Sequence, residues 1–250
     1  MNTIKKLKKL VVVYYIPAVE PIVNKPQKVL TEDLGKMFEM AICLLYGIEY
    51  DGKYKYSVEK ATEIKSKLHK LQTVFPHTLK HIAKNGSKYD FVSAEDNKLY
   101  LSAKTTKKNA KVCPQVIGQP TKKKFCEFLN IDTLNTVEQI KQYIETNIHT
   151  LLQHYALNTF DCPIVYYNKH TNALLFVRLK EPIEWMNYEV AFTHNIKQKK
   201  WNESSSIVVN GVTIGEFQVH NRRDCIKFRW SFEKLLSLFK VHFEIVDLVS

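Results

Sequence analysis

Two runs of alternating apolar and polar residues flank a short polar turn in "KYDFVSAEDNKLYLSAKTTKKN", residues 88–109. Side chains of a strand alternate between its faces, so the register of a hairpin decides which residues meet. With an odd-length turn, "EDN" or "AEDNK", Asp90 lies opposite Ser102, Val92 opposite Tyr100 and Lys88 opposite Lys104. Tyr89, Phe91, Leu99, Leu101 and Ala103 then form a second face that is apolar. An even-length turn would place Asp90 with Leu101 or Ala103. The pattern therefore selects one register. It predicts strands at about 88–94 and 98–106, an apolar face against a core, and Asp90, Ser102 and Lys104 together in the open.

The rest of the chain alternates between helical and strand periodicity. "LVVVYYI" near the start reads as a buried strand behind a basic arm rather than as a secretory leader, since the apolar run is short and no A-x-A site follows. Thr31 opens a helix on which Leu34, Phe38, Ala41 and Leu45 recur at helical spacing. Ser57 caps a second helix to about Leu71, and a short third is expected between Pro76 and Asn85-Gly86. "TKKKFCEFLN" is helical, and "TVEQIKQYIETNIHTLLQHYALN" reads as one long helix. "CPIVYYNKHTNALLFVRLK" is a hairpin, "NYEVAFTH" a strand, and Asn210-Gly211 a two-residue turn joining "SIVV" to "VTIGEFQVH". "CIKFRW" is a further strand, and Ser231 opens a final helix. The expected fold is a single α/β domain over residues 1–250. It has a mixed central sheet flanked by helices, a core at about 31–180, and a C-terminal antiparallel ribbon at about 205–230.

Five cysteines, widely spread and never in a C-x-x-C pair, fit neither a disulfide framework nor a zinc site. They read as core thiols in a reducing, cytoplasmic setting, and no apolar stretch is long enough to span a membrane. The formal net charge is +12, and it is patterned. Seven lysines and no acid lie between Lys104 and Lys124, and Arg222, Arg223, Lys227 and Arg229 face only Asp224 between Phe217 and Trp230. Two basic stretches, each beside a strand, suit a groove for a polyanion.

A carboxylate and a lysine on one open face are either a solvated pair across two strands or the groups that metal-assisted phosphodiester hydrolysis can use. The carboxylate holds a divalent cation, and the lysine orients water or offsets charge on the pentacovalent phosphorus. "KTTKKNAKVCPQVIGQPTKKKFCEF", residues 104–128, together with "HIAKNGSKYDFV" before it, resembles type II restriction endonucleases of the PD-(D/E)xK fold. The resemblance covers about residues 31–128. It implies that Asp90 binds Mg2+, that Lys104 is the catalytic lysine, and that Glu39 is an accessory acid on the preceding helix. Ser102 stands where the family usually has Glu or Asp, and serine is a poor magnesium ligand. Glu39 and Glu127 are the candidates for the missing acid. Gln115 and Gln119 are candidates for a phosphate or a metal-bound water, or for fastening their loop.

"IGEFQVHNRRDCIKFRW" is similar to the terminal strands of some small restriction enzymes. Its polar side carries Gln218, His220, Lys227 and Arg229, and its tip carries Asn221, Arg222 and Arg223. Such a ribbon fits the major groove, where Arg pairs with guanine and Gln or Asn with adenine. Lys107, Lys108, Lys122, Lys123 and Lys124 are expected on phosphates. The implied activity is sequence-specific, Mg2+-dependent cleavage of double-stranded DNA by a homodimer, alongside a DNA methyltransferase in the same system. A repair or recombination nuclease, and a non-catalytic nucleic-acid-binding protein, are the rival readings.

Overall fold

The structure, a computed structural model, describes residues 31–52, 57–84, 87–108 and 110–249. The strand expected in "LVVVYYI" lies outside them. Helices α1 (Thr31–Tyr46), α2 (Val58–Lys65) and α3 (Leu71–Val74) come first. Strands β1 (Leu79–His81), β2 (Phe91–Ser93), β3 (Tyr100–Thr106) and β4 (Lys111–Val112) follow. Then come helices α4 (Lys122–Leu129), α5 (Val137–Thr146) and α6 (Ile148–Thr159), and strands β5 (Ile164–Asn168), β6 (Ala173–Leu179) and β7 (Val190–Phe192). The chain continues through α7 (Thr193–Ile196), β8 (Ser204–Val209), β9 (Val212–Val219), β10 (Ile226–Ser231), α8 (Phe232–Leu238) and β11 (Phe243–Asp247).

Ser57 caps α2 as expected, its side chain accepting the Lys60 N–H. Other expectations change: α2 ends at Lys65 rather than near Leu71, and β2 covers only Phe91–Ser93. The segment after Pro76 is strand β1, not a helix: Leu79 and His81 are buried while Lys80 is exposed, and the three residues pair with β2. The long helix divides at Asn147, whose side-chain amide donates to the Tyr143 carbonyl at 2.9 Å and so competes with the helical ladder. After the last helix the chain returns as strand β11.

The first sheet is mixed, in the order β1-β2-β3-β5-β6-β11, with β3 and β5 parallel and every other neighbour antiparallel. The expected ribbon, β9 and β10, is the centre of a second, wholly antiparallel sheet in the order β4-β10-β9-β8-β7. Asn210 and Gly211 both have positive φ (48° and 75°), the geometry that a two-residue hairpin turn needs and that these residues adopt readily.

Two apolar cores flank the first sheet. One packs α1 (Leu34, Phe38, Ala41) and α2 (Ala61, Ile64) against Phe91, Leu101, Val165 and Tyr167. The other packs α5 and α6 (Ile140, Ile144, Leu151, Tyr155) against Ile164 and Tyr166 of β5 and against Phe217, Phe228 and Trp230 of the second sheet. Strand β5 is thus buried on both faces, which explains its unbroken apolar run. Alternation on β3 sends Leu101 and Ala103 to the α1 side. Ser102, Lys104 and Thr106, in register with Ile164, Tyr166 and Asn168, go to the side that meets the second sheet. Among the described residues no helix is long and apolar enough to cross a membrane.

Candidate active site

Phe91 pairs with Leu101 and Val92 with Tyr100, so Asp90 falls opposite Ser102 in the expected register. The ladder ends there. Asp90 Oδ2 accepts the Ala103 N–H at 2.7 Å, while the Asp90 carbonyl accepts the Ile82 N–H at 2.9 Å on its other side. Lys104 Nζ stands 3.5 Å from the same carboxylate oxygen and donates to Gln115 Oε1. The Cys162 thiol donates to Ser102 Oγ at 3.6 Å. Burial pushes that thiol up to about 11, so it is protonated at neutral pH.

The three side chains share a face, but that face is not open. Asp90 is 5% and Ser102 4% exposed. A hairpin taken alone has two outer surfaces. Here Cys162, just before β5, lies against Ser102, and the segment after β4 brings Gln115 over Lys104, which leaves the polar face recessed.

The acids around this recess are scattered. Glu39 is buried on α1, with its Oε2 taken by Lys36 Nζ at 3.0 Å and His81 Nε2 at 3.2 Å. His81 pairs with Phe91, so this group lies on the α1 side of the sheet. Glu127 is on the exposed side of α4, 3.8 Å from Lys123. Asp161, which the sequence reading did not single out, accepts from Tyr89 OH at 2.6 Å and pairs with Lys88. Tyr89 stacks on Tyr100 with ring centroids 4.0 Å apart, which sets Asp161 at the rim of the recess, one residue before Cys162. Farther along the same face Glu233 accepts from Asn168 Nδ2 at 2.6 Å and Tyr166 OH at 3.0 Å. No three His, Cys, Asp or Glu side chains among the described residues come together in an arrangement that would hold a metal. The donor set fits a cation bound through one carboxylate, Asp90, with its other positions filled by water and phosphate oxygens, as magnesium tolerates.

The two basic stretches meet. The Lys122 N–H at the start of α4 donates to Asp224 Oδ1 at 3.0 Å, which brings Lys122, Lys123 and Lys124 beside the exposed tip Asn221, Arg222 and Arg223. His220 lies 3.3 Å from Glu203. Behind the tip, Glu216 is 8% exposed and holds three donors: Lys111, Arg229 and Gln218 Nε2, the last at 2.8 Å. Burial acts to raise its pKa, but the bonds from Lys111 and Arg229 and their charges prevail and hold it below the usual carboxylate value. The hairpin register sets Arg229 directly opposite Glu216. Cys113 links the regions: burial raises its thiol against the pull of Lys227, Arg229 and Lys104 together. Lys107 is half-buried, and Gln119 is exposed. Lys108 and Lys111 line, with Thr213, Ser231, Glu233 and Lys234, a cleft of about 540 Å³ beside the start of α8.

The chain is 46% identical over 220 residues to the type II restriction enzyme CviAII of Paramecium bursaria Chlorella virus 1. The match takes in 88% of this chain but 64% of that enzyme's length. It bears out the resemblance to type II restriction enzymes drawn over residues 31–128, and it spans most of the chain. No protein-family model and no solved structure matches.

Proposed function

We propose that the protein is a sequence-specific, Mg2+-dependent endonuclease that hydrolyses phosphodiester bonds of double-stranded DNA as part of a restriction system. The observation that carries this reading is the pairing of Asp90 with Lys104 at the point where β2 and β3 part, in a chain 46% identical to a type II restriction enzyme. Residues of about 31–180 are the catalytic core, and those of about 205–230 read the DNA.

Asp90 would hold the cation through the carboxylate oxygen that the Ala103 N–H leaves free. When bound, the cation supplies charge neutralisation at the phosphate and lowers the pKa of water. Lys104 then has two uses: its ammonium offsets negative charge that develops on the phosphoryl oxygens, and its position fixes the line of attack. Lys107, Lys108 and Lys122 to Lys124 hold the flanking phosphates, and Arg222, Arg223 and Gln218 contact base edges. Symmetric sites are commonly read by two-fold dimers, so a homodimer is the working form, with a separate methyltransferase protecting the host's own sites.

A second reading, a DNA-binding protein without chemistry, is favoured by one observation, the lack among the described residues of three His, Cys, Asp or Glu side chains placed to hold a metal. A supercoiled plasmid incubated with the protein, with and without magnesium, separates the two. Discrete linear fragments that need magnesium are expected. A smear, or a preference for branched DNA, would favour a repair nuclease, and tight binding with no cutting at any magnesium concentration would reject the nuclease reading.

A further inference from the structure

The segment between β4 and α4 is strained where its own side chain gains nothing. Val116 has φ of +62°, a conformation that costs a β-branched residue most. The Ile117 N–H donates to the Gln115 carbonyl at 2.6 Å across it, which makes a γ-turn of the rare positive-φ kind. Val116 itself is 66% exposed, so the strain does not serve to bury it. Two residues on, a Cβ on Gly118 would stand 2.3 Å from the Pro114 carbonyl oxygen and 2.6 Å from Cys113 Sγ, so that only glycine fits. The Gly118 N–H closes the loop on the Pro114 carbonyl at 3.1 Å. Strain of this sort persists only where the surroundings over-determine it. Here β10 does so: Phe228 N–H donates to the Gly118 carbonyl at 2.8 Å, Ile226 N–H to the Pro120 carbonyl at 3.0 Å, and the Cys113 thiol to the Phe228 carbonyl at 3.4 Å.

What the turn aims is Gln115. Its Oε1 accepts from Lys104 Nζ, and its Nε2 donates to the Ser87 carbonyl at 3.3 Å. An ammonium only donates and a carbonyl only accepts, so a single amide orientation serves both partners. Both ends of the amide are thus committed to protein groups on either side of Asp90, one in the approach to β2 and one on β3.

We propose that Gln115 is a positioning residue for Lys104: the strained turn at Val116, anchored on strand β10, holds its amide so that the lysine ammonium is presented beside Asp90. This rests on the reading of Lys104 as the catalytic lysine, and it replaces a direct role for Gln115 on phosphate. It also gives the DNA-reading sheet a short mechanical link to the chemistry, since β10 carries Lys227 and Arg229 on its polar face and holds the loop by its backbone.

The test uses the full chain and a supercoiled plasmid under single-turnover conditions with saturating protein. Gln115→Leu keeps the size but loses both bonds. It is expected to lower the saturated cleavage rate by about tenfold to a hundredfold, the scale of a misplaced catalytic group, with half-saturation by DNA unchanged. Gln115→Glu keeps an acceptor for Lys104. It is expected to restore most of the rate and to move the lysine-dependent limb of the pH–rate profile to higher pH, because a carboxylate favours the ammonium form. Cleavage by Gln115→Leu at the wild-type rate would overturn the proposal. So would weaker DNA binding with an unchanged saturated rate, which marks a phosphate contact. Equal losses in both variants with a parallel fall in melting temperature would reduce the residue to a loop fastener. If the wild-type protein cuts no plasmid, the nuclease reading itself fails and takes this one with it. If the wild type cuts and Gln115→Leu cuts equally well, only the present inference falls.

Discussion

Asp90, just before β2, and Glu216, on β9, are both buried carboxylates beside a lysine, and their surroundings are opposite in kind. Glu216 is saturated: Lys111, Arg229 and Gln218 all donate to it, and two of the three are cations. Asp90 has one main-chain N–H and one ammonium at 3.5 Å. A carboxylate offers about four acceptor sites. Glu216 spends nearly all of its sites on its own protein, and Asp90 leaves some unused. The first arrangement ties β4, β9 and β10 together; the second leaves a buried carboxylate with few donors of its own.

The largest effect should come from breaking the unsaturated group. Asp90→Asn keeps the shape and removes the anion, and Lys104→Met keeps the stem and removes the cation. Each is expected to lower cleavage by roughly 10²–10⁴-fold, the range for loss of a positioned acid–base or charge-stabilising group, while circular dichroism stays native. These conservative variants matter because the residues are buried. Asp90→Ala would leave the Ala103 N–H unpaired, at about 1–3 kcal/mol, and confuse stability with chemistry. Near wild-type cutting by both variants would sink the assignment.

The saturated group should respond in stability rather than rate. Glu216→Gln leaves Lys111 and Arg229 without their counter-charge and is expected to cost about 1.5–3 kcal/mol at neutral pH. The folded pKa of Glu216 lies below its unfolded value, so its stabilisation is present above the unfolded pKa, about 4.3, and is lost as pH falls through the folded value. The melting temperatures of wild type and variant should therefore differ at pH 7 and converge in the acid range. A gap that stays constant down to pH 3 would mean that the carboxylate's charge is not what holds the knot.

How far the sequence alone carried this comparison depends on the range of the forces involved. Register on β2–β3 and the turn at Asn210-Gly211 were legible because alternation and positive φ are local requirements. Strands β1 and β4, of three and two residues, were not, since nothing in so short a segment prefers a strand until a partner pairs with it. The break at Asn147 was hidden inside an intact helical period. The burial of Asp90 was missed for the same reason that Asp161 and the Lys104–Gln115 bond were missed. Each depends on segments outside the hairpin that only the folded protein brings over it.

The smallest expected effect concerns the acids outside the recess. Ser102 gives the cation no carboxylate, and two glutamates were candidates to supply one. Glu127 is exposed and loosely paired with Lys123, so Glu127→Gln should leave both stability and the magnesium concentration for half-maximal cleavage unchanged. Glu39 is buried, near β1 and β2, but already shared by Lys36 and His81. Were a cation held at Asp90, Glu39 would act on it only by its field and through the elements that carry Asp90. Glu39→Gln is therefore expected to raise the magnesium requirement by no more than about tenfold, the low end for such outlying groups. A magnesium titration of the two variants beside the wild type decides the matter. A shift in the Glu127 variant alone would reverse the order of the two acids. No shift in either, with a lower melting temperature for Glu39→Gln, would make Glu39 a purely structural partner of His81 and leave Asp161, at the rim beside Cys162, as the acid to test next.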